Sequence, residues 1–113
     1  MGRTGIIGAM EEEIILLKEK MEIEVVVKKA SMEFYQGTLN GKEVVLVKSG
    51  IGKVNAGLCA QILVDVFNVS HLINTGIAGS LRAEINIGDI VVSSDALQHD
   101  MDARAFGYAR GEI

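Results

Sequence analysis

The chain has 113 residues, of which 49% are apolar, with 15 acidic side chains against 11 basic ones and a formal net charge of −4. That length fits one domain with a sizeable core, the apolar content excludes disorder, and the acidic balance leaves no footprint for nucleic acid. No apolar run approaches the ~20 residues of a membrane span, acids interrupt the N-terminal apolar run too early for a signal peptide, and one cysteine excludes an internal disulfide, so a cytoplasmic chain with no membrane partner is expected.

In chain order, Gly5 to Ala9 reads as a buried strand that breaks into Glu11, Glu12 and Glu13 and then a helix. The helix carries an apolar stripe at Ile14, Leu16, Leu17 and Met21, with Lys18 and Lys20 near its end, where cations suit the dipole. Glu22 to Val27 is β-rich, with Lys28-Lys29 as its solvated end, and Met32 to Leu39 partly alternates. Asn40-Gly41 is a hairpin signal leading to a strand over Lys42 to Lys48. Ser49-Gly50-Ile51-Gly52-Lys53 then introduces a helix with apolar positions Val54, Leu58, Ile62 and Val66 and with Leu63 and Phe67 beside them. His71 to Thr75 is a short buried strand ending in Gly76-Ile77-Ala78-Gly79-Ser80, and Ile90 to Ser93 is expected as a further strand. There is no proline, so the 13 glycines carry most chain reversals, and three of the glycine turns follow strands. The pattern is α/β, with too few helices to cover both faces of a sheet this size; a piece of a larger domain, or a chain that needs partners, is expected. Cys59, within GLCAQILV, reads as a buried thiol.

Three features could carry chemistry. Acids at a helix start complement the macrodipole by ~0.3–1 kcal/mol each. One of them could instead be a general base at a strand end, with a pKa raised by partial desolvation. The residues by themselves do not choose among Glu11, Glu12 and Glu13. SGIGK is a glycine-rich turn into a helix of the kind that binds anions, although it lacks the P-loop spacing. TGIAGS would let backbone approach a flat ligand, or merely let the chain turn. His99-Asp100-Met101-Asp102 supplies too few ligands for a metal, so none is expected. Phe106 and Tyr108 in the tail suit an interface, a ligand wall or packing within the domain.

Taken together, GIIGAMEEE, NG, KSGIGKVNA, INTGIAGSL and IGDIVVSSDALQHDMDARAFGY, in that order, resemble the 5′-methylthioadenosine/S-adenosylhomocysteine nucleosidase family over essentially the whole chain. The resemblance implies a three-layer α/β/α nucleoside phosphorylase-like fold, with residues 1–113 forming the N-terminal part of a single domain. It implies a homodimer, no cofactor, and hydrolysis of the N-glycosidic bond of a nucleoside to release adenine. It places Glu13 as the residue that activates water, Ala9, Met10 and Ile51 in the substrate pocket, and Gly79 in the turn that contacts the nucleoside. Ala103 and Phe106 fall in the segment that closes the neighbouring subunit's alkylthio pocket. Ile77 and Ser80 stand where some members carry serine and glycine. Family chains continue beyond Ile113, and their second half brings the acid that protonates adenine and the Met-Glu pair that holds base and ribose. The 113 residues alone are therefore expected to turn over no substrate, and Asp89, Asp95, Asp100 and Asp102 lie in the wrong motifs to replace that acid. Two other readings are a purine nucleoside phosphorylase and a non-catalytic module that binds nucleosides or dimerises. Three carboxylates at one strand end would repel a phosphate dianion and favour water, and a negative group beneath an oxocarbenium-like transition state would stabilise it.

Overall fold

Consecutive apolar residues on neighbouring strands send their side chains to opposite faces of a sheet, and that alternation sets the layering of this chain. The computed structural model describes residues 2–112, which form two units, one through Gly79 and one from Ser80. The first unit contains β1 (Arg3–Gly8), α1 (Glu11–Lys20), β2 (Glu22–Lys29), β3 (Met32–Leu39), β4 (Lys42–Lys48), α2 (Lys53–Asp65) and β5 (Val69–Asn74). Its strands make one mixed sheet in the order β2-β3-β4-β1-β5. β2, β3 and β4 pair antiparallel, whereas β1 lies parallel between β4 and β5 with Ile6 opposite Leu46 and Ile7 opposite Val47.

Ile6, Val44 and Leu46 pack with Ile14 and Met21, on the α1 side. Ile7, Val45 and Val47 pack with Phe34, Cys59, Leu63, Phe67 and Val69, on the α2 side. The two helices thus cover opposite faces, giving the three layers expected. Phe34 is fully buried and stacks on Phe67, with ring centroids 4.9 Å apart.

The hairpin at Asn40-Gly41 forms as expected, with both residues at positive φ. β2 runs to Lys29, with Lys28-Lys29 as the solvated end expected, and a second tight turn at Ala30-Ser31 takes the same left-handed conformation without glycine. β5 begins two residues before the expected His71, in parallel register with β1.

The helix faces need correction. On α1 the buried line is Ile14, with Leu17 partly covered, and Met21 at the C-cap, while Leu16 is 67% exposed. Along α2 and the turn that follows it the line that closes on the sheet is Cys59, Leu63 and Phe67, and Val54, Leu58 and Val66 are exposed. Both stripes of α2 have helical spacing, so periodicity does not separate them. The stripe leading to Phe67, which has Phe34 to stack on, is the one that packs.

The unit from Ser80 onward holds one short 3₁₀ helix, Arg104–Phe106, and local backbone bonds such as Gly111 N–H to the Met101 carbonyl at 2.9 Å. The strand expected over Ile90 to Ser93 is absent: these residues are irregular and exposed. A strand exists only with a hydrogen-bonded neighbour, and β-branched composition does not supply one. Among the described residues, no helix is long and apolar enough to cross a membrane.

Candidate active site

The carboxyl ends of the three parallel strands are tied together just beyond their last pairs. Ser49 N–H donates to the Gly8 carbonyl and Thr75 N–H to the Ile7 carbonyl, both at 2.9 Å. The segments leaving β1, β4 and β5 therefore emerge at one edge, which is where ligands bind in open α/β sheets. The first of them is two residues long, so the three glutamates fall in the opening turn of α1.

The structure gives the three glutamates different surroundings. Glu11 is held by Lys18 at 3.1 Å and Lys48 at 3.6 Å, which keep its carboxyl below the ordinary range. Glu12 is exposed, and none of the described hydrogen bonds or ion pairs involves it. Glu13 turns back across the strand ends. Its Oε2 accepts the N–H groups of Ala9 at 2.6 Å and Met10 at 3.0 Å, and its Oε1 accepts the N–H of Ile77 at 3.2 Å. The Met10 bond is the ordinary return of an N3 glutamate to its N-cap. The bonds from Ala9 and Ile77 go beyond capping, and the second spans 64 residues.

These donors act together on the titration of Glu13. The Ile77 N–H first, then Met10, with a further contribution from Ala9, hold its carboxyl below the ordinary glutamate range against an opposing effect of burial. The expectation of a base with a raised pKa is thereby corrected: amide hydrogen bonds to the charged form outweigh the partial desolvation. At neutral pH this group is a fixed carboxylate with one N–H on Oε1 and two on Oε2, leaving acceptor capacity on Oε1 for a water.

Ala9 and Met10 are partly buried and meet Glu13 through their backbones. Ile51 lies in the segment after β4 and is 74% exposed. Gly79 follows Ile77, and nothing lies within 4 Å of where its Cβ would be. Ala103 and Phe106 belong to the other unit, where Ala103 caps the 3₁₀ helix and Phe106 is exposed. The Ile77 amide is the contact that sequence reasoning missed. Its signal was there in TGIAGS, since a loop leaving a strand parallel to β1 must pass beside the loop leaving β1.

The remaining candidates have local duties. Asp89 accepts the Asn86 N–H at 2.8 Å, and Asp102 forms two bonds with the Arg104 guanidinium at 2.7 and 2.6 Å. Among the described residues no group of three or more His, Cys, Asp or Glu side chains could hold a metal ion. A cleft lined by Glu11, Tyr35 and Lys48 among others does not include Glu13.

Comparison with known proteins matches this arrangement to a family. The model of the phosphorylase superfamily matches residues 3–112. The chain is 50% identical over 109 residues to a 5′-methylthioadenosine/S-adenosylhomocysteine nucleosidase of Staphylococcus haemolyticus, covering 96% of this chain and 48% of that protein. The crystal structure of such a nucleosidase from Colwellia psychrerythraea, in complex with adenine, superposes with a TM-score of 0.94 at 49% identity, covering 99% of this chain and 46% of the other. The enzyme of Neisseria meningitidis, in complex with methylthio-immucillin-A, gives 0.94 at 42% identity over 100% and 49%. The chain thus spans about half the length of the curated relatives it matches. With its mixed sheet, its two opposed helices and a match from residue 3 to residue 112, the chain belongs to the phosphorylase superfamily.

Proposed function

We propose that the chain serves a nucleosidase that hydrolyses the N-glycosidic bond of 5′-methylthioadenosine and S-adenosylhomocysteine, with Glu13 directing the attacking water. The observation that carries this reading is the Glu13 carboxylate, held just past the carboxyl end of β1 by three backbone N–H groups. None of the described ion pairs places a cation on it. A phosphate nucleophile would need donors and positive charge there, whereas a neutral water needs an acceptor. The argument from three carboxylates weakens to two, because Lys18 and Lys48 offset Glu11.

In the reaction, the bond between the anomeric carbon and the adenine nitrogen breaks and its electron pair leaves with adenine. The water oxygen bonds to the cationic carbon, one of its protons passes to Glu13, and adenine takes a proton from an acid outside these 113 residues. A carboxylate with a lowered pKa is a poor base toward free water. It suffices once that water is bonding to a cationic carbon, which makes its proton strongly acidic, and its fixed charge also stabilises the oxocarbenium character.

Ala9, Met10, Ile51 and Gly79 line the nucleoside site in this reading, and Ala103 and Phe106 reach the site of a second copy in a cytoplasmic homodimer. The exposed Val54 and Leu58 on α2 support an apolar contact surface on the first unit. These residues hold the base but not the acid, so the 113-residue chain by itself is inactive.

The test is adenine release from methylthioadenosine, with and without phosphate, by the 113 residues alone and by a form extended to the relatives' length. Release by the extended form without phosphate is the expected result. Strict phosphate dependence would replace the hydrolase with a phosphorylase, and calorimetric binding with no turnover would leave a binding module. Turnover by the 113 residues alone would refute their proposed inactivity.

A further inference from the structure

We infer that Gly76 is a positioning residue for Glu13: it leaves open the space that lets the carboxylate reach the Ile77 N–H. The inference rests on the role proposed for Glu13 and adds the residue that sets its geometry. A Cβ built on Gly76 would lie 2.5 Å from Oε1 of Glu13, 2.9 Å from Cδ and 3.3 Å from Oε2. All three nearest atoms belong to the one carboxyl group. The backbone of Gly76 lies outside the left-handed region, so alanine could adopt it, and the group that would have to give way is the Glu13 carboxylate at the end of its side chain. Gly8 plays a lesser part from the other side, since a Cβ there would meet Cβ of Glu13 at 3.1 Å and Ile14 Cγ2 at 2.5 Å. Two glycines, one ending β1 and one two residues past β5, thus bracket the side chain.

Displacing the carboxyl group by the width of a methyl breaks the Ile77 bond first, because it is the longest of the three and lies on the Gly76 side. The charged groups nearest in sequence do not compensate: Glu12 is exposed, and Glu11 is committed to Lys18 and Lys48. The site would keep its base but lose its aim, and misplacement on the scale of 1 Å costs on the order of a hundredfold in rate.

The experiment is a mutant cycle in the 113-residue chain: wild type, Gly76→Ala, Glu13→Ala and the double variant, compared by thermal unfolding. Gly76→Ala is expected to lower Tm when Glu13 is present, and to leave it unchanged or raise it slightly when residue 13 is alanine, since alanine then fits and only restricts the unfolded chain. Equal losses in the two backgrounds overturn the inference. If Gly76→Ala alone fails to fold, a double variant that folds like Glu13→Ala supports it, and a double variant that also fails overturns it. The second readout is the Glu13 carboxyl titration by carbon NMR. Its midpoint should move up toward the ordinary glutamate range in Gly76→Ala, and an unmoved midpoint overturns the inference. Neither readout needs turnover, so they separate a wrong placement of Gly76 from a wrong nucleosidase reading, which adenine release tests.

Discussion

The residues through Gly79 and those from Ser80 have similar apolar character but opposite fates. In the first region Phe34, Val45, Leu46 and Val47 are fully buried between a sheet and its helices. In the second, Leu81, Ile87 and Ile90 are each more than 90% exposed, and the backbone is held by turns and one 3₁₀ helix. The difference is not in side-chain type, since Ile-Val-Val at 90–92 resembles Val-Val-Leu-Val at 44–47. It lies in whether a neighbouring strand accepts the backbone hydrogen bonds. β4 has β3 on one side and β1 on the other, whereas Ile90 to Ser93 pairs with no strand among the described residues.

The chemistry divides in the same way, and breaking it gives the largest expected effect. Glu13→Gln in a form extended to the relatives' length should lower kcat by roughly 10²–10⁴-fold, the range for a lost general base, with KM little changed. Asp89→Asn, in the second region, should leave kcat unchanged, because Asp89 serves a local turn. Steady-state adenine release checks both, and retained activity in Glu13→Gln removes that residue from the mechanism. Next comes stability. Phe34→Ala empties a fully buried site and removes the stack on Phe67, so it should cost about 3–5 kcal/mol. Phe106→Ala, at a site 83% exposed, should stay within about 0.5 kcal/mol. Urea unfolding of the two variants compares the regions directly.

Acid should weaken the first region through Glu13. Its folded pKa lies below its unfolded value, so the stability it contributes is complete above the unfolded pKa and is lost as pH falls through the folded one. Glu13→Gln should therefore flatten the loss of Tm across that acid window and change its slope little near neutrality. An unaltered acid slope would mean that the three amide bonds contribute nothing to folding.

Much of the first region was legible in the sequence because its signals are local. Asn40-Gly41 specifies its own turn, and Gly5 to Ala9 followed by three acids specifies a strand end and a helix start. Two kinds of feature were not legible. Which stripe of α2 meets the sheet depends on Phe67 finding Phe34, a contact between distant residues. That Ala30-Ser31 turns without glycine depends on the pairing of β2 with β3, which holds two L-residues in a conformation neither prefers. The site divides likewise. The carboxylate could be narrowed to three neighbours, and family resemblance chose Glu13. The Ile77 amide, and with it the lowered pKa, required the parallel register of β1 and β5 to be known.

The smallest effect bears on how the exposed side of α2 is used. Gly57 lies in the interior of that helix between Val54 and Leu58, and nothing lies within 4 Å of where its Cβ would be. A glycine in a helix interior costs about 0.5–1 kcal/mol relative to alanine, so Gly57→Ala should stabilise the 113-residue chain by that amount. This is the reverse of Gly76→Ala, although both replace a glycine by alanine, because one Cβ enters open space and the other meets a carboxylate. The same substitution in the extended form tells whether the face carrying Val54 and Leu58 is covered there. A gain of the same size means that the face stays open to solvent. A loss means that another surface packs close to Gly57, which is the contact the proposed homodimer calls for; calorimetric Tm values of the two forms, with and without the substitution, decide between them.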